Sequence, residues 1–174
     1  MVETPSYKVT EQIDGVEIRL YPKLILATVS GDDIYAPFRI LFEYISGNNS
    51  VGGKISMTAP VITPERIDMT APVISGGGSM SFVVPSKYTM ESVPAPNDER
   101  VRIHDVPERK LAVIRFRGWA REKSVERQKA LLISVLQRNG FEMVGEPFLM
   151  RYNSPWTPGF MRRNEIAIEL NPKR

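Results

Sequence analysis

Few side chains in this 174-residue chain are suited to chemistry. There is no cysteine, which excludes disulfides, thiolate metal sites and cysteine nucleophiles. His104 is the single histidine, so a histidine-rich metal site and a two-histidine mechanism are excluded as well. No pattern joins a nucleophile to a base, and the glycines at 76–78 lack the spacing of a phosphate-binding loop. The sequence therefore favours a binding protein over an enzyme.

Carboxylates are the remaining candidates for acid–base work. They are spread along the chain, at Glu43, Glu65, Asp68, Glu142, Glu146 and Glu165. Nothing in the sequence brings two of them together. Glu165 stands at the start of a predicted strand, where we interpret it as half of a structural ion pair.

The most unusual pattern is a near-perfect duplication at a spacing of twelve residues. Ile55–Ile62 reads ISMTAPVI, and Ile67–Ile74 reads IDMTAPVI. Met57 and Met69 take equivalent places in the two copies and offer a soft, adaptable apolar surface. Packing of both methionines in the core is the alternative, since methionine is often buried.

Two helices and a series of strands must position these residues. A helix near 36–46 carries Phe38, Leu41, Phe42 and Ile45 on one apolar stripe. A second helix is predicted over 122–139. Alternating patterns predict strands over 7–13, 16–21, 24–30, 54–62, 79–84, 101–106, 111–117, 148–152 and 164–170.

The order strand, helix, strand, strand occurs twice along the chain. It predicts a single α+β domain over 1–174 with a largely antiparallel sheet and two helices. Its two β-α-β-β halves, about 1–88 and 99–171, flank a connector at about 85–98 and are related by a pseudo-two-fold axis. A groove between such halves would suit a small-molecule ligand.

Charge is unevenly distributed, with a formal net charge of +3. Residues 1–98 carry 7 basic and 11 acidic groups, and residues 99–174 carry 16 and 9. The excess lies mainly in 99–129, where mixed signs on a predicted helix indicate a solvated face rather than a nucleic-acid surface. No stretch approaches the ~18 apolar residues of a membrane span. The first ten residues lack a signal peptide, so we expect a cytoplasmic protein without membrane or nucleic-acid partners.

Four segments together resemble the SOUL/heme-binding-protein family. They follow one another over nearly the whole chain, as Phe42–Asn49, the two Met-Thr-Ala-Pro-Val copies, Met80–Tyr88 and Arg151–Glu165. The doubled copy resembles the prokaryotic and plant-type branch. The resemblance implies a duplicated barrel-like fold, similar to that of bacterial drug-sensing effector domains. It also implies that heme or another tetrapyrrole, such as protoporphyrin, binds in a shallow apolar groove.

The resemblance places this groove between the first helix and the loop before the last strand. The implied binding residues are Phe38, Leu41, Phe42, Ile45, Met57, Met69, Trp156, Phe160 and Arg162. Trp156 suits either a platform over the ligand or a plug in the barrel end. Only one of the neighbours Arg162 and Arg163 can face the groove, and the other then pairs with Glu165 or solvent.

Iron ligands are scarce in this chain. Tyr35, Glu43 and Thr157 stand where animal members of the family carry basic residues, and the first half contains no histidine. His104 is the best nitrogen ligand available, on the face of its strand opposite Ile103, and a partly exposed structural role is the favoured interpretation. No resident metal is therefore expected.

Three functions follow from these patterns. The first is a carrier, buffer or chaperone for heme or a related tetrapyrrole. The second is a scaffold for other flat hydrophobic or cationic ligands, like the drug-sensing relatives. The third, less favoured, is an enzyme that modifies a tetrapyrrole. The sequence identifies no protein partner.

Overall fold

The computed structural model describes residues 3–31, 35–64, 78–153 and 156–172. Its contacts divide the chain into two compact units. The first unit contains Met1–Pro5 and Leu24–Val106, and the second contains Ser6–Lys23 and Pro107–Arg174. These units are divided at other positions than the predicted halves, because the N-terminal strands pair with the C-terminal ones. The single domain over 1–174 stays a prediction.

Nine strands and two helices form the secondary structure of the described residues. In chain order they are β1 (Lys8–Ile13), β2 (Val16–Tyr21), β3 (Leu24–Ser30), α1 (Tyr35–Ile45), β4 (Val61–Pro64), β5 (Ser79–Val83), β6 (Arg102–Val106), β7 (Arg109–Arg117), α2 (Glu122–Arg138), β8 (Met143–Arg151) and β9 (Arg163–Leu170). A short 3₁₀ turn at Gly159–Met161 precedes β9.

The first unit packs α1 on one face of an antiparallel sheet with the order β4-β5-β3-β6. The buried side of α1 consists of Pro37, Ile40, Leu41, Tyr44 and Ile45. The side of α1 that is buried is therefore rotated about the helix axis relative to the predicted apolar stripe. Phe42, which belongs to that predicted stripe, is 49% exposed. Tyr44 reaches the core because its hydroxyl donates to the Pro94 carbonyl at 2.6 Å, which satisfies the polar end of a buried ring.

The strand predicted over 54–62 is wrong in its extent, since β4 begins only at Val61. Before it, Thr58 forms an isolated parallel bridge with Glu3, and the Ala59 amide donates to the Glu3 carbonyl at 2.9 Å. Pro60 has no amide hydrogen to continue such a ladder, so regular pairing starts after it.

The second unit contains a five-stranded antiparallel sheet with the order β1-β2-β7-β9-β8. One face packs against α2 through an apolar cluster that includes Ile18, Ile114, Leu132, Leu136 and Ile166. Side chains alternate across a strand, so the opposite face carries Arg19 and Glu165. This face holds the polar network described below.

The prediction of an α+β fold with antiparallel strands and two helices is confirmed. The barrel-like closure and the pseudo-two-fold axis stay predictions. Neither α1 nor α2, the two helices of the described residues, has the length and apolar character required to cross a bilayer.

Candidate functional site

The loop before β9 exposes large apolar side chains. Trp156 is 92% exposed, Phe160 is 78% exposed and Met161 is 61% exposed. Single exposed apolar residues are common, but three large ones within six residues are unusual, and exposed apolar surface of this kind is typical of contact sites. Trp156 and Phe160 are two of the residues that the sequence assigns to ligand binding.

Arg162 and Trp119 hold this loop in place. The Arg162 guanidinium lies 4.1 Å from the centre of the Trp119 ring, and its Nε donates to the Thr157 carbonyl at 2.8 Å. Gly159 lies so close to the indole that an added Cβ would be 2.1 Å from Trp119 Nε1. The loop geometry therefore depends on Trp119, which the sequence analysis missed. The one signal in the sequence that could have revealed it is the position of a tryptophan directly after Gly118 at a strand end.

The predicted residues on α1 lie in the first unit and divide into two groups. Leu41 and Ile45 are buried in the core, whereas Phe38 is half-buried and Phe42 more exposed. The Phe38 and Phe42 rings are stacked with centroids 6.1 Å apart, and Phe38 meets Phe82 edge-on at 5.5 Å. The exposed side of α1 is thus aromatic at Phe42, whereas Leu41 and Ile45 are buried.

Of the two methionines in the duplicated motif, the structure describes Met57 alone. Met57 is half-buried and packs against the apolar core of the first unit. Met69 and the whole second Met-Thr-Ala-Pro-Val copy lie outside the described residues. The structure thus gathers Trp156, Phe160 and Arg162 in one loop and the four α1 residues on one helix. A common groove for both sets stays a prediction.

His104 lies on β6 and is engaged in a hydrogen-bond chain. Its Nε2 is 2.9 Å from Thr28 Oγ1, which is 2.7 Å from Ser81 Oγ. Thr28 and Ser81 are both buried. Because the ring nitrogen is already paired inside the first unit, His104 is a poor candidate for an open iron ligand.

A pH dependence of stability follows from the position of His104. Burial lowers its pKa, and the positive charge of Arg102 acts in the same direction. The unfolded chain then takes up a proton at a higher pH than the folded chain does. The neutral ring stabilises the fold above the ordinary histidine pKa of about 6.5, and this stability is lost as the pH falls below it.

We expect His104→Gln to reduce the slope of unfolding free energy against pH between about 7.5 and 5.5. Urea unfolding at several pH values measures this slope for both proteins. Equal slopes in wild type and variant would show that the His104 pKa does not differ between the folded and unfolded chains.

A buried ionic network occupies the sheet face of the second unit opposite α2. Arg19 is 1% exposed and Glu165 is 0% exposed, and their side chains form two hydrogen bonds of 2.9 Å each. The Tyr152 hydroxyl donates to Glu165 Oε2 at 2.7 Å, and Arg163 Nη2 donates to Oε1 at 2.7 Å. Arg163 is thus the neighbour that pairs with Glu165, while Arg162 stacks on Trp119.

This network is a buried ion pair in which Glu165 remains charged. Burial would raise the pKa of Glu165, but the hydrogen bonds and charge of Arg19 outweigh it and lower that pKa. Burial and the nearby Glu165 charge both raise the pKa of Tyr152. Glu165 therefore stays ionised and its lone pairs are taken, which leaves it no role as a general base.

Metal ligands are not grouped in the part of the chain that the structure describes. No three His, Asp or Glu side chains there are arranged to hold a metal ion.

Comparison with known proteins identifies relatives along almost the whole chain. A family model described as SOUL heme-binding protein matches residues 2–169. Heme-binding protein 2 of Homo sapiens is 31% identical over 179 residues, which cover 96% of this chain and 85% of that protein. Heme-binding protein 1 of Bos taurus is 26% identical over 134 residues, covering 74% and 65% of the two chains.

Solved structures with the same fold are more distant in sequence. The EcmrR C-terminal domain has a TM-score of 0.60 and 12% identity, with 95% of this chain and 98% of that domain covered. A crystal structure described as a hydrolase from Listeria innocua has a TM-score of 0.60 and 10% identity, with coverages of 93% and 94%. At these identities the likeness concerns the fold alone.

Proposed function

The chain belongs to the SOUL heme-binding protein family, and we propose that it binds heme or a related tetrapyrrole through apolar contact. The observation that carries this proposal is the exposure of Trp156 and Phe160 on one short loop. A porphyrin presents two flat apolar faces, and aromatic rings match them in shape and in polarity. The names of the relatives support the same ligand class.

The size of this patch fits a moderate affinity. An aromatic side chain buries about 150–250 Å², and apolar burial contributes roughly 25 cal/mol per Å². Two such rings covered by a porphyrin on one side contribute about 4–6 kcal/mol, and the buried porphyrin surface adds a similar amount. Association costs at least about 4 kcal/mol, so the net free energy is no more favourable than about −8 kcal/mol, which corresponds to a dissociation constant in the micromolar range or weaker.

We propose that the protein provides no strong axial ligand to iron. His104 Nε2 is already paired with Thr28, and methionine binds iron weakly without a stronger ligand opposite. The ligand is then held reversibly and can be passed on. This favours a role as a cytoplasmic carrier, buffer or chaperone for a small-molecule tetrapyrrole, without a nucleic-acid or membrane partner.

A parallel titration with hemin and metal-free protoporphyrin IX tests this proposal. We expect both to bind with similar dissociation constants, because the iron–protein bond contributes little. His104→Ala should change hemin affinity less than about threefold, or about 0.7 kcal/mol. Soret absorption and tryptophan fluorescence measure both. Loss of hemin binding in His104→Ala, with protoporphyrin unaffected, would refute the absence of a strong axial ligand.

Failure of both titrations points to the second hypothesis, a scaffold for other flat hydrophobic ligands. The buried network then decides whether Glu165 can pair with a cationic ligand. Glu165 is neutralised by Arg19 and Arg163 and is fully buried, so it offers no free carboxylate to a cationic ligand. Flat hydrophobic ligands and flat cationic ligands are both to be screened then, and a cationic one would need a carboxylate other than Glu165.

A further inference from the structure

A small pocket in the second unit is lined by basic and amide side chains. It has a volume of about 130 Å³, and its lining residues are Trp119, Ala120, Arg121, Arg151, Asn153, Arg162 and Asn164. No acidic side chain is among these lining residues. Three arginines around one concavity make it strongly attractive to an anion.

Arg151 is the lining residue whose charge a bound anion would stabilise most. It ends β8 opposite Asn164 and is half-buried. Among the described residues no carboxylate forms an ion pair with its guanidinium. Burial lowers the pKa of Arg151, and the positive charge of Arg162 lowers it further. A partly buried cation without a counter-charge is costly, so a bound anion would stabilise it.

The other donors around the pocket are held in fixed positions. Arg162 is anchored by Thr157 and by the Trp119 ring, and Asn164 Nδ2 donates to the Gly118 carbonyl at 2.8 Å. The helix α2 begins directly after Arg121, which makes no side-chain capping bond there. The positive end of the α2 dipole therefore adds to the field of the arginines.

The volume limits what can enter. Pockets for complete drug-sized ligands measure about 300–1,000 Å³, and one water occupies about 30 Å³ in the liquid. A pocket of about 130 Å³ thus holds a carboxylate or phosphate group with some water, but no porphyrin ring. It suits the charged end of a ligand whose body lies elsewhere.

We propose that this pocket is a receptor for an oxyanion group, supplied either by a carboxylate of a bound tetrapyrrole or by free phosphate. The tetrapyrrole source rests on the proposed function, and the free-phosphate source does not. The same loop joins the two features, since Arg162 lines the pocket and holds the segment that exposes Trp156 and Phe160. A ring on the loop would then leave a side-chain carboxylate within the field of the pocket.

The test compares protoporphyrin IX with its dimethyl ester, which has the same ring and no free carboxylate. We expect wild type to bind the acid about fivefold more tightly than the ester. Arg151→Gln should remove this preference and leave ester binding unchanged, while Arg151→Lys should keep part of it because the charge remains. Arg127→Gln, an exposed arginine on α2 outside the pocket, is the matched control and should behave as wild type.

Inorganic phosphate distinguishes the two sources. Thermal unfolding with and without phosphate is followed for wild type, Arg151→Gln and Arg127→Gln. If acid and ester bind equally but phosphate stabilises wild type and not Arg151→Gln, the pocket takes a free anion. If neither porphyrin binds while phosphate still stabilises wild type through Arg151, the proposed function fails and the oxyanion site stands. If neither the acid preference nor the phosphate effect depends on Arg151, the oxyanion proposal is overturned.

Discussion

Replacing Arg19 with methionine should destabilise the protein by about 3–5 kcal/mol, the cost of leaving a buried charge without its partner. Arg19 makes both 2.9 Å hydrogen bonds to the fully buried Glu165, and its Nε lies 2.7 Å from Glu17 Oε2. Arg163 and Tyr152 remain on Glu165 in the variant, but they cannot replace a bidentate guanidinium. Urea unfolding followed by circular dichroism measures the change in unfolding free energy.

A double-mutant cycle separates this ion pair from simple loss of packing. Combining Arg19→Met with Glu165→Gln should cost clearly less than the sum of the two single changes, because neither charge is then left unpaired. Arg100→Met is the matched control, since Arg100 binds Asp98 in the same two-pronged way on the surface and should hardly affect stability. Additive costs for Arg19 and Glu165 would contradict a coupled buried pair.

Trp156→Ala should weaken hemin and protoporphyrin binding at least tenfold, and Trp156→Ala with Phe160→Ala should weaken it further. Each change removes an aromatic face of the exposed loop, and a tenfold loss corresponds to about 1.4 kcal/mol, well below the full burial of one ring. Because both side chains are largely exposed, their removal should leave the melting temperature nearly unchanged. Titration by Soret absorption and a thermal melt measure the two effects separately.

Two further variants locate the binding surface. Leu131→Ala removes an exposed apolar side chain from α2 in the same unit and should not alter affinity. Phe42→Asp places a charge on the exposed aromatic position of α1 in the first unit. Unchanged binding in Trp156→Ala together with lost binding in Phe42→Asp would move the site from the loop to α1.

The sequence determined most elements of this fold, although β4 begins at Val61 rather than at 54 and β8 begins at Met143 rather than at 148. The patterns at 16–21 and 24–30 have the same bounds as β2 and β3, and the predicted second helix exceeds α2 by one residue. Strand and helix periods follow from how side chains of one segment are shared between core and solvent, which local sequence records directly. The same alternation predicts that Arg162 and Arg163 face opposite sides, and in the structure they have separate partners, Trp119 and Glu165 respectively.

The tertiary structure decided the surroundings of individual side chains. Alternation puts Arg19 on the face away from α2, which by itself predicts exposure, yet Glu165, 146 residues later, lies against it and both are buried. Trp119 likewise meets Gly159, which lies far along the chain. The pocket around Arg151 is also built from separate segments. Periodicity reports which face of a segment is apolar, but the partner that a charge meets depends on register between distant strands, and only the folded chain sets that register.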